Sequence, residues 1–227
     1  MSLLFEYPPK AAFGRVVPKN KIYEHGSPTT ALKEYFVRQV DQIVWQYKLA
    51  PETINIKATA AVPEIQVFTI VLKDGELKPE VLRCIDQAIP FPILFELHFE
   101  DRIRPIAAYK RPNEADASKW VLSDYFSADW LPSETPRQAL PVVFDLDVLY
   151  RYLLLPLLPR PARAGEVTQA LIARMENICL IERELERCEQ RLRKEKQFNR
   201  KVEIHAELRE LNLKLENLNR SGGGAES

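Results

Sequence analysis

From Val167 to Asn219 the chain contains neither proline nor glycine, and charged side chains crowd it. Such a stretch has nothing to stop a helix, so its apolar residues must fall on a stripe that some other surface covers. Leu171, Ile178, Ile181, Leu185, Cys188 and Leu192 fit the a and d positions of a heptad, with Arg174 as a defect. Ile204, Leu208, Leu211, Leu215 and Leu218 fit a second seam in a different register. The jump lies inside "RLRKEKQFNRKVE". A continuous, stuttered helix of about 80 Å, at about 1.5 Å per residue, is the preferred reading. The alternative is a hairpin turning near "KQFNR", with Asn199 as the cap of its second arm. Either way Leu171, Ile178, Leu185, Leu192, Leu208, Leu211 and Leu215 are the expected interface, made with the same chain, a second copy or a partner subunit.

The residues before this stretch are of another kind. Residues 1–28 carry prolines and glycines and predict an irregular segment with one short strand near Arg15–Val17. Ser27 or Thr29 would cap a helix in which Leu32, Phe36, Val40, Ile43, Val44 and Tyr47 share a side, ended by Pro51. "ETINIKA" and "EIQVFTIVLK" alternate like strands, and Pro79 to Ala88 reads as a second helix. "PILFELHFEDRIRPIAAYKRP" reads as a β-hairpin and "KWVLSDYFSADW" as a further strand. The expectation is an α+β head over 29–140 with a mainly antiparallel sheet and two packed helices. A short helix and linker follow over 141–165, then the long charged helix or helical hairpin over 166–220 in coiled-coil style, and a flexible tail over 221–227.

Lys plus Arg and Asp plus Glu are equal, at 32 each, so no global charge excess advertises nucleic acid or membrane. Cys84, Cys179 and Cys188 form no CxxC spacing or even framework, which fits a reducing cytoplasm. The first residues lack the basic and apolar regions of a signal peptide, and the run "VLYRYLLLPLLP" is too short to span a bilayer. A cytoplasmic protein is expected.

No Walker A loop, GxGxxG, HExxH or GxSxG is present, and the three histidines are isolated, so no metal site is assigned. One constellation has the outline of a metal-dependent nuclease core. Glu52 and Glu64 open adjacent predicted strands, Gln66 shares a face with Glu64, and Lys73 ends the strand. Two carboxylates of this kind hold Mg²⁺ while a Lys or Gln positions water. Solvated strand-end charges explain the same residues, and that bland reading is preferred. Glu96, His98 and Glu100 share one hairpin face, read as a wet face with Arg102 and Arg104 as cross-strand partners. Arg102, Arg104, Lys110, Arg111 and Lys119, interleaved with Tyr109, Trp120 and Tyr125, could carry DNA or RNA through phosphates and stacking.

The phrases "VPKNKIYE", "YKLAPETINI", "EIQVFTIVLK", "IDQAIPFPILFEL", "AAYKR" and "EKQFNRKVEIHAELRELNLKLENL" together resemble the bacterial and archaeal family known as domain of unknown function 4391, over about Pro18 to Leu218. The family brings no activity and no catalytic residues. Its members sit beside DNA methyltransferase and helicase genes, which implies an accessory role in DNA modification or phage defence. The resulting expectation is a non-enzymatic accessory subunit that assembles through its C-terminal helix and needs no cofactor. The alternatives are a divergent nuclease with Mg²⁺ at Glu52, Glu64 and Gln66, and a nucleic-acid-binding module on the basic hairpin.

Overall fold

The computed structural model describes residues 3–116 and 119–220; the expected tail over 221–227 lies outside them. The chain divides into two compact units between Leu158 and Pro159. The boundary expected at residue 140 therefore falls 18 residues later, and the short helix after it belongs to the first unit.

In the first unit, β1 (Phe5–Glu6) is followed by β2 (Ala12–Val16) and by helix α1 (Lys19–Gly26). The irregular segment expected over 1–28 is thus largely ordered structure. Helix α2 (Thr30–Gln39) starts at Thr29, whose hydroxyl accepts from the Leu32 amide. It stops eleven residues earlier than the apolar spacing predicts, because Val40–Leu49 is strand β3. Val40, Ile43, Val44 and Tyr47 satisfy a helical period, but the β-branched and aromatic run through Trp45 suits a pleated surface between two neighbours.

The next correction is the reverse. "ETINIKA" is no strand: Pro51–Ile54 makes a single helical turn, α3, and Asn55 leaves it in the left-handed region at φ 55°. Pro51 suits the first helical position, and the Thr53 hydroxyl accepts from the Ala50 amide.

From there expectation and structure run together. They give β4 (Ile65–Leu72), helix α4 (Pro79–Ala88), the hairpin β5 (Ile93–Phe99) and β6 (Arg102–Pro112), and β7 (Trp120–Ser127). Short strands β8 (Leu131–Pro132) and β9 (Gln138–Ala139) precede helix α5 (Leu146–Leu154).

The main sheet runs β2-β3-β4-β5-β6-β7, with β8 also on β6. Its pairs are antiparallel except β4 with β5, which are parallel because α4 crosses between them. On one face Phe68 and Ile70 of β4 and Phe95 of β5 meet Ile22, Phe36, Val81 and Ile85 of α1, α2 and α4. Three helices, rather than the two expected, pack there. Elsewhere in the unit β1 pairs in parallel with β9, and α5 is tied to β6 through Tyr150, whose hydroxyl donates to the Ala108 carbonyl and accepts from the Lys110 amide.

The second unit is a helical hairpin. Helix α6 (Thr168–Lys194) turns at residues 195–197 into α7 (Phe198–Asn219), so the uninterrupted helix is not what the chain forms. The Glu195 carboxylate accepts from the Lys196 and Gln197 amides and fastens the turn; Asn199 is not the cap. Cys188 of α6 packs with Ile204 and Leu211 of α7, flanked by Ile181, Leu185, Leu192 and Leu208. Two registers in sequence are thus two arms meeting each other. Arg160 and Arg163 reach the end of α7, where Arg163 donates to the Leu218 carbonyl and Arg160 to the Asn219 side chain, a favourable place for cations. Among the described residues, no helix is long and apolar enough to cross a membrane.

Candidate functional site

The acidic corner predicted from sequence assembles around a residue the sequence did not single out. Lys48, near the end of β3, lies directly across from Gln66 on β4, so the two side chains share a face. Glu64 sits two residues before Gln66 on that face. The α3 turn then brings Glu52 back over Lys48. The Lys48 ammonium is 2.6 Å from a Glu52 oxygen and 3.3 Å from a Glu64 oxygen, and the Gln66 amide donates to Glu64 at 2.6 Å. Pairing with Glu52 pushes the Lys48 pKa up, and Lys48 holds the Glu52 carboxyl below its usual range. Lys73 is not part of this group; at the far end of β4 it donates to the Val37 carbonyl near the end of α2.

Two carboxylates therefore converge, but on an ammonium rather than on open solvent. Among the described residues no three His, Cys, Asp or Glu gather in metal-binding geometry. Beside Gln66 opens an apolar cavity of about 320 Å³, lined by Val17, Ile22, Trp45, Phe68 and Ile89 with His25 at its edge.

The basic hairpin is divided. Arg102 and Arg104 stand at one end of β6, Lys110 and Arg111 at the other, roughly 25 Å apart at about 3.3 Å per residue. Arg102 pairs with Glu100 and lies over the Trp130 ring, and Arg104 donates to Ala128 and Ser127. Arg111 is 3.4 Å from Glu114. Lys110 is buried, 2% exposed, and donates to the Asp86 and Ile89 carbonyls at the end of α4. The hairpin presents no continuous basic track.

The seam residues are placed in the same manner. Leu185, Leu192, Leu208 and Leu211 line the contact between α6 and α7, Leu171 and Ile178 are buried, and Leu215 is half-buried.

Two clusters escaped the sequence reading. Glu96 is buried, and its partner is Arg137, not Arg102 or Arg104: the guanidinium donates to both carboxylate oxygens at 2.8 Å and also to the Phe5 carbonyl. Burial alone would raise the Glu96 pKa; Arg137 and, after it, His98 together outweigh burial and the net shift is downward. The His98 Nε2 stands 3.9 Å from Glu96, buried and without a hydrogen bond. Second, Asp86 of α4 lies 3.5 Å from the Lys110 ammonium and accepts from the Tyr125 hydroxyl. Burial pushes the Asp86 pKa up to about 6, with Lys110 and Tyr125 opposing, and burial lowers that of Lys110. A 41-residue separation hides Glu96–Arg137, and the only sign of Asp86–Lys110 in the sequence is an acid amid the apolar positions of α4.

A family model described as "Domain of unknown function (DUF4391)" matches residues 5–215. The chain belongs to that family. No curated protein and no solved structure matches this DUF4391 chain. The Lys48 corner, the Glu96 cluster and the Asp86 cluster all fall inside the matched span.

Proposed function

We propose that this DUF4391 protein is a non-enzymatic accessory subunit of a cytoplasmic DNA-modification or antiviral, restriction-like system, and that it assembles through a coiled-coil contact of α7. One observation carries this reading. Phe198, Val202 and Leu213 are 78%, 49% and 60% exposed. At about 100° per residue they fall within about 60° of one another on α7, on the side away from Ile204, Leu208 and Leu211. An apolar stripe on an otherwise charged helix is the surface a partner helix covers. The family's association with methyltransferase and helicase genes supports a subunit of such a complex as that partner. Light scattering, and co-purification with any methyltransferase or helicase encoded beside this chain, test it. Changing Phe198, Val202 and Leu213 together to Ser should abolish assembly while helix content stays constant. Unchanged assembly would sink the reading.

A second reading rests on the convergence of Glu52 and Glu64 on one nitrogen. If Mg²⁺ displaces the Lys48 ammonium, the two carboxylates become its ligands and the freed amine can steady a phosphate or the attacking water. Mg²⁺-dependent cleavage of DNA or RNA that Glu64→Gln abolishes without loss of stability would establish it. Clean wild-type protein that cuts neither nucleic acid removes it.

A further inference from the structure

Between α4 and β7 lies a polar cavity of about 410 Å³, within the range of small-ligand sites. Its floor is the Asp86–Lys110 pair, each side chain 2% exposed. The wall is the half-buried Trp120 ring, with Gln87, Arg83 and Lys119 around the mouth. Three cations and one carboxylate line it, and Asp124 and Asp116 pair with the two outer cations from the rim.

The floor and the mouth have different duties. The Lys110 ammonium is occupied by the Asp86 and Ile89 carbonyls and the Asp86 carboxylate, and it lies 5.8 Å from the Trp120 ring centre. It fixes the position of the floor and of the aromatic wall. The Asp86 carboxylate is held in turn by the Tyr125 hydroxyl. These contacts make a rigid polar base under an aromatic face. At the mouth, Arg83 donates to the Ser123 carbonyl and stands 4.0 Å from Asp124, while Lys119 is 3.1 Å from Asp116. Both ion pairs are solvent-exposed and thus weak, so a doubly charged group can draw the two cations to itself. A guanidinium and an ammonium beside an aromatic plane match a phosphate joined to a flat ring.

We propose that this cavity binds a phosphorylated nucleoside, with the base against Trp120 and the phosphate on Arg83 and Lys119. The ligand can be a free mononucleotide or the 5′-terminal nucleotide of a strand; both present the same chemistry. The site shares no residue with the Lys48 corner or with the α7 stripe.

Calorimetry on the full chain tests this with three probes: adenosine monophosphate, a 5′-phosphorylated dinucleotide and inorganic phosphate. Binding of the first two, weakened about tenfold or more by Arg83→Gln and by Trp120→Leu, is the expected result. Tighter binding of the mononucleotide assigns a free nucleotide; tighter binding of the dinucleotide assigns a strand end. Lys119→Gln, a substitution of an exposed side chain, keeps the test valid should Trp120→Leu unfold. The proposal is overturned if neither nucleotide binds at millimolar concentration, if the variants bind as wild type does, or if inorganic phosphate binds as tightly as the nucleotides.

Discussion

Arg174 closes on Glu166 with two nitrogens, Nε and Nη2, each 2.7 Å from a carboxylate oxygen. The same guanidinium donates to the Pro161 carbonyl. What reads in sequence as a defect in the α6 seam is the residue that fastens the preceding segment to the helix.

Removing one member of that buried pair leaves the other charge without compensation, so Arg174→Ala should lower the stability of the helical hairpin by about 3–5 kcal/mol. Arg174 and the Arg163 amide hold the Glu166 pKa down to about 2. A depressed carboxyl pKa contributes stability that is full above the unfolded value, near 4.3, and is lost as pH falls from there toward about 2. Hairpin helicity followed by circular dichroism between pH 5 and pH 2 should decline, and the decline should be smaller in Glu166→Gln, the remainder coming from Glu195 and Glu207, whose carboxyls are also held low.

Asp86 has the opposite sign. Its pKa in the folded chain, about 6, lies above the unfolded value of about 3.9, so the folded form binds the proton more tightly. Wild-type stability should fall as pH rises from about 4 to about 6 and level off above. Urea unfolding at several pH values should show that slope in the wild type and not in Asp86→Asn. A slope that persists in the variant assigns the titration to another group.

Arg137→Ala should destabilise the first unit by about 3–5 kcal/mol, because Glu96 of strand β5 is left buried and charged. The double variant Arg137→Met, Glu96→Leu should lose less than the single one. A thermal-shift comparison of the three proteins measures this, and equal losses for single and double variants would contradict it.

Gly26→Ala should cost about 1–3 kcal/mol by overpacking. A β-carbon there would stand 2.6 Å from the Cys84 sulfur and 2.8 Å from the Cys84 carbonyl oxygen, where α1 crosses α4. The substituted chain should unfold at lower urea concentration, whereas Gly14→Ala meets no neighbour and strains only its own positive φ.

Elements with a single consistent signal could be read in advance. Helix α4 has a proline at its first position and apolar residues at helical spacing, and strands β4 to β7 carry long β-branched and aromatic runs. Strand β3 could not be read, since Val40, Ile43, Val44 and Tyr47 fit two periods and only sheet neighbours decide between them. The acidic corner was half legible. Glu52, Glu64 and Gln66 stood out by type, but Lys48 enters through cross-strand register, which no local pattern displays. Glu96–Arg137 and Asp86–Lys110 depend on contacts between distant segments, and hence on the whole fold.

Strand β1 finds its parallel partner at Gln138–Ala139, more than 130 residues along the chain. The β1 segment is made before its partner and has no strand to pair with until β9 has emerged. Closing so long a loop is slow compared with local helix formation. Leu4, Phe5 and Tyr7, all buried in the finished fold, therefore lack that cover until β9 is made. A chain cut before β9 leaves these three side chains without their cover and should aggregate more readily than the intact one.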